Sequence, residues 1–246
     1  MEMWKGLLNM FKDKFIEIFN NKKIGIWGLG REGLSSLNFI NELNINRDIY
    51  LFDNNGSYPK LGNFTILNDV KDLNNCDLIL ISPGIPFNDS FGVDEDKITS
   101  QTAIFLSIYK KQIIGITGTK GKSTTTSLIY QILNENKNNV VMLGNIGIPA
   151  FDKINEIDEN TIIVDEISCH QLRNVKDSPH IAVLLNIYQE HLDYYSYDYY
   201  KELKRKIFKY QNNNDILISQ LEFTDGDNIQ GVLVDIYNDI KIDKDK

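Results

Sequence analysis

The run Ile113-Ile114-Gly115-Ile116-Thr117-Gly118-Thr119-Lys120-Gly121-Lys122-Ser123-Thr124-Thr125 is an apolar, β-branched strand, then a turn with two glycines, then the polar opening of a helix. Glycines let the backbone turn tightly with its N–H groups facing inward. The pattern carries the helix to about Asn134, so loop and helix N-terminus aim their N–H groups at one point. Such a loop cradles polyphosphate. Gly118, Thr119, Lys120, Gly121, Lys122, Ser123 and Thr124 form the expected ATP cradle, with Lys122 as a mobile point charge on the β/γ-phosphates and the Ser123 hydroxyl as a ligand for Mg²⁺. The general pattern G-x-x-x-x-G-K-[ST] places its first glycine at position 116, which is isoleucine here, and Gly118 takes over the turn.

A second glycine turn lies upstream. Lys23-Ile24-Gly25-Ile26-Trp27 reads as a strand leading into Gly28-Leu29-Gly30-Arg31-Glu32-Gly33-Leu34, after which Leu34, Leu37, Ile40 and Leu43 mark a helix face. The next strand, Ile49 to Phe52, ends in Asp53. A G-x-G-x-x-G turn with an acid at the tip of the following strand aims a helix N-terminus at a diphosphate. The strand Leu78 to Ile81 breaks at Ser82-Pro83-Gly84-Ile85-Pro86, because prolines forbid its continuation, and this loop sits where ligands bind in parallel sheets. The polar stretch from Asn88 to Thr102 reads as the segment between two domains, spanning residues 1–100 and 101–246.

Three further strand ends carry polar residues. Val140 to Leu143 runs into Gly144-Asn145-Ile146-Gly147. Thr161 to Val164 is closed by Asp165-Glu166 and followed by Ile167-Ser168-Cys169-His170-Gln171-Leu172. Four apolar residues and then a carboxylate is the chemistry of a strand whose acid holds Mg²⁺ directly or through water. Ile181 to Asn186 leads into Ile187-Tyr188-Gln189-Glu190-His191-Leu192-Asp193. The tyrosines at 194, 195, 197, 199 and 200 read as helix-packing aromatics, since the acidic balance argues against a platform for bases.

The chain has 246 residues, 42% of them hydrophobic, enough for a substantial core in one large or two ordinary domains. A net charge of -8 argues against a nucleic-acid backbone or an anionic membrane as partner. Cys76 and Cys169 are far apart and no secretory signal accompanies them, which points to a reduced, cytoplasmic setting. Trp4, Leu7, Leu8, Phe11, Phe15, Ile18 and Phe19 give the N-terminus one apolar face, expected to pack on the first domain, and no run is long enough to span a bilayer.

The loop T-G-T-K-G-K-S-T after an I-x-G-I strand resembles that of the Mur ligase superfamily, which includes the peptidoglycan-precursor ligases and folylpolyglutamate synthase. The phrases G-L-G-R-E-G-L-S and S-P-G-I-P are similar to those of its branch that adds D-glutamate to UDP-N-acetylmuramoyl-L-alanine. The resemblance implies an α/β chain of two consecutive parallel-sheet domains, a Rossmann-like UDP-binding domain followed by a P-loop ATPase-type domain. It implies an ATP- and Mg²⁺-dependent ligase working through an acyl phosphate, with UDP-N-acetylmuramoyl-L-alanine and D-glutamate as substrates.

By the same resemblance Gly28, Gly30, Arg31, Glu32, Gly33, Asp53, Asn54, Ser82, Pro83 and Gly84 surround the uridine diphosphate, and Asn145, Ser168 and Gln171 approach the sugar nucleotide. The phrase E-[LI]-S-x-x-Q-L selects Glu166, not Asp165, as the metal ligand. N-[IV]-x-x-[DE]-H-L-D makes His191 a ligand of a second magnesium ion, and Y-x-x-A-K-x-x-I-F places Lys204 at the lysine carried as a carbamate. Leu203 replaces the usual alanine there, so Lys201 and Lys206 stay open as alternatives; His170 stands where the family has an aromatic residue and is unassigned. Lys122, Glu166, His191 and Lys204 are the expected catalytic set. The match covers roughly residues 22 to 219, two of the family's three domains, which leaves room for a separately encoded C-terminal domain. The rival expectations are a truncated, non-catalytic nucleotide-binding relative and another amide ligase of the superfamily such as folylpolyglutamate synthase. After Gln220 only one strand, within Ile229 to Tyr237, is expected.

Overall fold

The structure is a computed structural model and describes residues 2–56, 58–60, 62–86, 91–190, 193, 195–224, 226–236 and 239, without the side chains of residues 2–10. Contacts divide the chain into two compact units, one of residues 1–108 with Gly147–Glu159, the other of Tyr109–Ile146 with Asn160–Lys246.

In the first unit β1 (Lys22–Trp27), α2 (Arg31–Glu42), β2 (Arg47–Phe52), β3 (Thr65–Ile66), β4 (Leu78–Ile81) and β5 (Ile98–Thr99) build a parallel sheet of order β3-β2-β1-β4-β5. Strand β1 is central because it is apolar on both faces: Ile24, Ile26 and Trp27 are fully buried. Helix α1 (Glu2–Phe19) buries Phe15 and Phe19, and Phe15 meets Phe39 and Phe151 edge to face. For Phe15 and Phe19 this is the packing that the apolar face of the N-terminus predicts; the side chains of Trp4, Leu7 and Leu8 lie outside the described residues. The polar stretch expected as an interdomain segment instead contributes the edge strand β5 and the start of α3 (Gln101–Tyr109) to this unit. An edge strand of two residues needs no hydrophobic run, so composition hides it.

The second unit contains β6 (Ile113–Thr117), α4 (Lys122–Glu135), β7 (Val140–Gly144), β8 (Ile162–Glu166), α5 (Cys169–Leu172), β9 (Ile181–Leu184), α6 (Tyr197–Lys209), β10 (Ile216–Ser219) and β11 (Val232–Asp235). Its sheet is parallel throughout, in the order β11-β10-β9-β6-β8-β7. All strands therefore deliver their carboxyl ends, with the polar residues that follow them, to one edge of the sheet. Both units are α/β with parallel sheets, as the sequence indicates. Among the described residues no helix is long and apolar enough to cross a membrane.

Candidate functional site

Strand β6 stops at Thr117 and α4 starts at Lys122, with Gly121 as its N-cap in the left-handed conformation (φ 86°), which an L side chain rarely adopts. The loop between them is fixed by the exit of β9. Asn186 brackets the peptide of Lys120: its Oδ1 accepts from Lys120 N at 2.8 Å, its Nδ2 donates to Lys120 O at 3.1 Å, and its own carbonyl accepts from Thr119 N at 2.9 Å. The buried Thr119 hydroxyl accepts from Tyr188 N at 2.9 Å and lies 3.1 Å from the Tyr200 hydroxyl. A side chain at Gly118 would meet Leu185 Cβ at 3.0 Å, so this glycine lets the loop lie against the β9 exit. Lys122 Nζ donates to Gly118 O at 2.9 Å and Thr119 O at 3.0 Å, which holds its charge inside the loop. Lys120 pairs with Glu190 at 2.7 Å, but Lys120 is 73% exposed and the pair contributes at most about 1 kcal/mol. Ser123 and Thr124 are exposed at the first turn of α4.

Two buried charged groups lie beneath the loop. Lys204, on the inner face of α6, is 1% exposed and donates to Gly118 O at 2.9 Å and Thr117 Oγ1 at 3.1 Å. Burial pushes its pKa down to about 8, and the neighbouring Lys122 ammonium adds to that fall while Glu190 and Glu166 oppose it. A substantial share of this amine is therefore neutral and nucleophilic just above neutrality. Glu166, at the end of β8, is 1% exposed; its Oε1 accepts from Asn145 Nδ2 at 2.9 Å, and its Oε2 is buried without a hydrogen-bond partner among the described residues. The open alternatives at the lysine separate. Lys201 pairs with Asp198 on the surface, and Lys206 donates to the carbonyl of Arg173; Lys204 alone of the three reaches the loop. His191 lies outside the described residues.

Ser168 and Gln171 form a capping box on α5, each side chain accepting from the other's backbone N–H. That S-x-x-Q pattern is legible in the sequence, and it gives both residues a structural task. His170 Nδ1 lies 2.8 Å from the Tyr195 hydroxyl, so it belongs to the aromatic packing of α5 and α6.

In the first unit the glycine turn is held by its own polar residues. Asp53 Oδ2 accepts from Leu29 N at 2.6 Å and Oδ1 from Asn55 N at 2.8 Å, while Ser82 Oγ donates to Gly28 O at 2.7 Å. A Cβ at Gly33 would collide with Gly28 O, whereas one at Gly30 would meet nothing within 4 Å. Gly33 thus lets α2 pack on the turn, and Gly30 leaves its face open to a ligand. Arg31, Asn54 and Gly84 are exposed around this face, Pro83 is half-buried, and Glu32 is half-buried with its carbonyl accepting from Gln101 Nε2 at 3.3 Å. Gln101 also donates to Ser35 and Ser36 and accepts from Phe151 N, and Ser35 donates to Asp152 at 2.6 Å. That network ties Gly147–Glu159 to α2. Gln101 and Asp152 carry no signal in the sequence, whereas Asn186 and Tyr200 each open one of the motifs quoted above without a role at the site being expected of them.

Residues 116–233 match the Mur ligase middle domain family. UDP-N-acetylmuramoylalanine--D-glutamate ligase of Ruminiclostridium cellulolyticum is 30% identical over 227 residues, covering 86% of this chain and 48% of that protein. The protein of the same name from Streptococcus agalactiae is 34% identical over 232 residues, covering 87% and 50%. The chain belongs to the Mur ligase superfamily. It spans about half the length of the curated relatives it matches. Among solved structures, UDP-N-acetylmuramate:L-alanyl-gamma-D-glutamyl-meso-diaminopimelate ligase from Neisseria meningitides aligns with a TM-score of 0.49 at 15% identity, over 87% of this chain and 77% of that one.

Mur ligase chemistry calls for magnesium, and the residues present fit it. Among the described residues no three His, Cys, Asp or Glu side chains cluster as an all-protein cage. Magnesium seldom uses one; it takes one or two carboxylates, phosphate oxygens and water. A buried carboxylate oxygen with no donor among the described residues, Glu166 Oε2, together with the exposed Ser123 hydroxyl at the loop helix, matches that donor set.

Proposed function

We propose that these two units form the nucleotide-binding part of an ATP-dependent amide ligase that joins D-glutamate to UDP-N-acetylmuramoyl-L-alanine in the cytoplasm. The first unit holds the uridine diphosphate at its glycine turn and the second holds ATP at its phosphate loop. The observation that carries this is Lys204. Burying a lysine against the carbonyl of a phosphate loop is unfavourable for stability, and a pKa near 8 prepares the amine to react with CO₂. The resulting carbamate is an anionic oxygen ligand where the resemblance places one.

In the reaction, a carboxylate oxygen of the sugar-nucleotide substrate attacks the γ-phosphorus of ATP, the bond to the bridging oxygen breaks, and ADP leaves. The free amine of D-glutamate then attacks the acyl carbon, the acyl C–O bond breaks, phosphate departs, and the nitrogen gives up one proton and keeps the other as the amide N–H. Lys122 follows the charge that moves from the β,γ-bridge to the acyl phosphate, released from Gly118 O and Thr119 O when phosphate offers better acceptors. Asn186, Tyr188 and Tyr200 keep the loop N–H groups in place, so little reorganisation accompanies the charge shift. Ser123 and Glu166 and, as the resemblance implies, His191 and carbamylated Lys204 would hold magnesium, which would supply positive charge beside the transferred phosphoryl group. The test is isotope transfer: with MgATP, D-glutamate and substrate labelled with ¹⁸O in its carboxylate, released phosphate carries the label. If nucleotide binds but D-glutamate releases no labelled phosphate, even with the family's amino-acid domain supplied in trans, the non-catalytic alternative replaces this assignment.

A further inference from the structure

We propose that Asn145 is the positioning residue for the Glu166 carboxylate, presenting one of its oxygens to the metal, and not solely a contact to the sugar nucleotide. The inference rests on the metal assignment above. Strands β7 and β8 pair in parallel with Gly144 opposite Glu166, so the turn after β7 passes directly over the end of β8. Gly144 has φ 100°, and a Cβ there would collide with Asp165 Oδ1 and the Glu166 carbonyl; a glycine is what allows this approach. Asn145 then meets Glu166 twice. Its backbone N–H donates to Glu166 O at 2.8 Å and its Nδ2 donates to Glu166 Oε1 at 2.9 Å.

The pairing is one-sided in a way that carries information. Oε1 has its donor, while Oε2 is buried and has none among the described residues. A buried carboxylate oxygen without a partner is destabilising, so the arrangement makes sense when Oε2 is reserved for a cation. A glutamate has three rotatable side-chain bonds and two equivalent oxygens. Without a fixed donor on Oε1 it would turn towards the Lys204 charge that acts on it, and an ion pair there would take both groups out of use. Asn145 prevents this by holding one oxygen, which leaves the other at a fixed place. Outer partners of metal ligands work in this way elsewhere.

The probe is Mn²⁺, read by electron paramagnetic resonance as it is titrated into the protein with ATP bound. Asn145→Ala removes the donor without adding charge; Asn145 is exposed, so its replacement does not disturb the core. Mn²⁺ affinity of the protein–ATP complex should fall about tenfold or more. ATP affinity in EDTA should change less than twofold, UDP-sugar affinity is read separately because it reports the substrate contact, and Asn145→Gln, which keeps an amide donor, should retain more Mn²⁺ affinity than N145A. Unchanged Mn²⁺ affinity in N145A, whatever happens to UDP-sugar binding, would overturn the proposal and leave Asn145 at most a substrate contact. If the parent protein binds ATP without Mn²⁺, the metal assignment itself fails, and it does so visibly before any variant is made.

Discussion

The two glycine turns of this chain share a plan and differ in what they do with charge. Each follows a central parallel strand and opens a helix, so each collects backbone N–H groups at one point. In the first unit the polar side chains serve the turn: Asp53 and Ser82 are engaged with its backbone, and Arg31 stays in solvent. In the second unit charges are taken out of water. Lys204 and Glu166 are each 1% exposed, and one oxygen of Glu166 has no hydrogen bond among the described residues. A turn satisfied by its own residues is suited to holding a ligand still, while one that carries buried, incompletely paired charge is suited to stabilising charge that moves.

If that division is right, removing a charge in the second unit should affect ATP and nothing in the first. Lys122→Ala should weaken MgATP binding about 100-fold, the loss of one charged contact to phosphate. UDP affinity should be unchanged; isothermal calorimetry measures both, and a parallel loss of UDP binding would merge the two sites.

Within the first unit the glycines should separate stability from binding. Gly33→Ala forces a methyl group onto Gly28 O and should destabilise this unit by about 3 kcal/mol in urea unfolding. Gly30→Ala has space for its methyl group and should leave stability within about 1 kcal/mol of the parent while UDP binding is lost, since the methyl group occupies the face offered to the diphosphate. Equal effects of the two substitutions on stability would show that the turn is not divided in this way.

Lys204→Met tests whether buried charge is a cost that the second unit bears for function. The folded pKa is lowered from 10.5 to about 8, so between those values the unfolded chain binds more protons and parent stability rises with pH. Below pH 8 the full penalty applies, and there the methionine variant should be more stable by about 2 kcal/mol after its lost hydrogen bonds are counted. The advantage should shrink across the window and be reversed above pH 10.5, where only the lost hydrogen bonds of the variant remain, in bicarbonate-free denaturation curves.

How far the sequence displays this contrast depends on the range of the interactions. Strands such as Ile113–Thr117 and Ile162–Glu166 are apolar runs whose carboxyl ends hold the candidate site, so the parallel sheets and the glycine loop between β6 and α4 follow from local pattern. The two-residue strands β3 and β5 follow from none, since their pairing is decided by neighbours distant in sequence. Lys204, Lys201 and Lys206 look alike in sequence because burial depends on which face of α6 meets β6 and β9. The Asn186 bracket on Lys120 spans 66 residues and is invisible until β9 lies beside β6. Motif resemblance supplied Glu166, Lys204 and Asn145; it did not reveal that Asn145 and Glu166 touch.

The smallest expected effect is at Asp53, and it decides what an acid at a strand tip is for. In a dinucleotide site such an acid would bond a ribose hydroxyl, through a lone pair not already engaged by the backbone. Here Oδ2 accepts from Leu29 N inside the glycine turn and Oδ1 accepts from Asn55 N in the turn after β2. The carboxylate joins two backbone segments and fixes the height of the turn above the sheet. Asp53→Asn keeps one acceptor oxygen and replaces the other with a donor, which would face an N–H across the same short distance. One clasp should open, at a cost of about 1 kcal/mol in urea unfolding. UDP affinity should fall by less than about threefold, because the helix N-terminus and Gly30 are still in place. An unchanged unfolding curve with UDP affinity reduced more than about tenfold would reverse the assignment. Asp53 would then release its backbone partners to bind the nucleotide, and the first turn would depend on charge as the second one does.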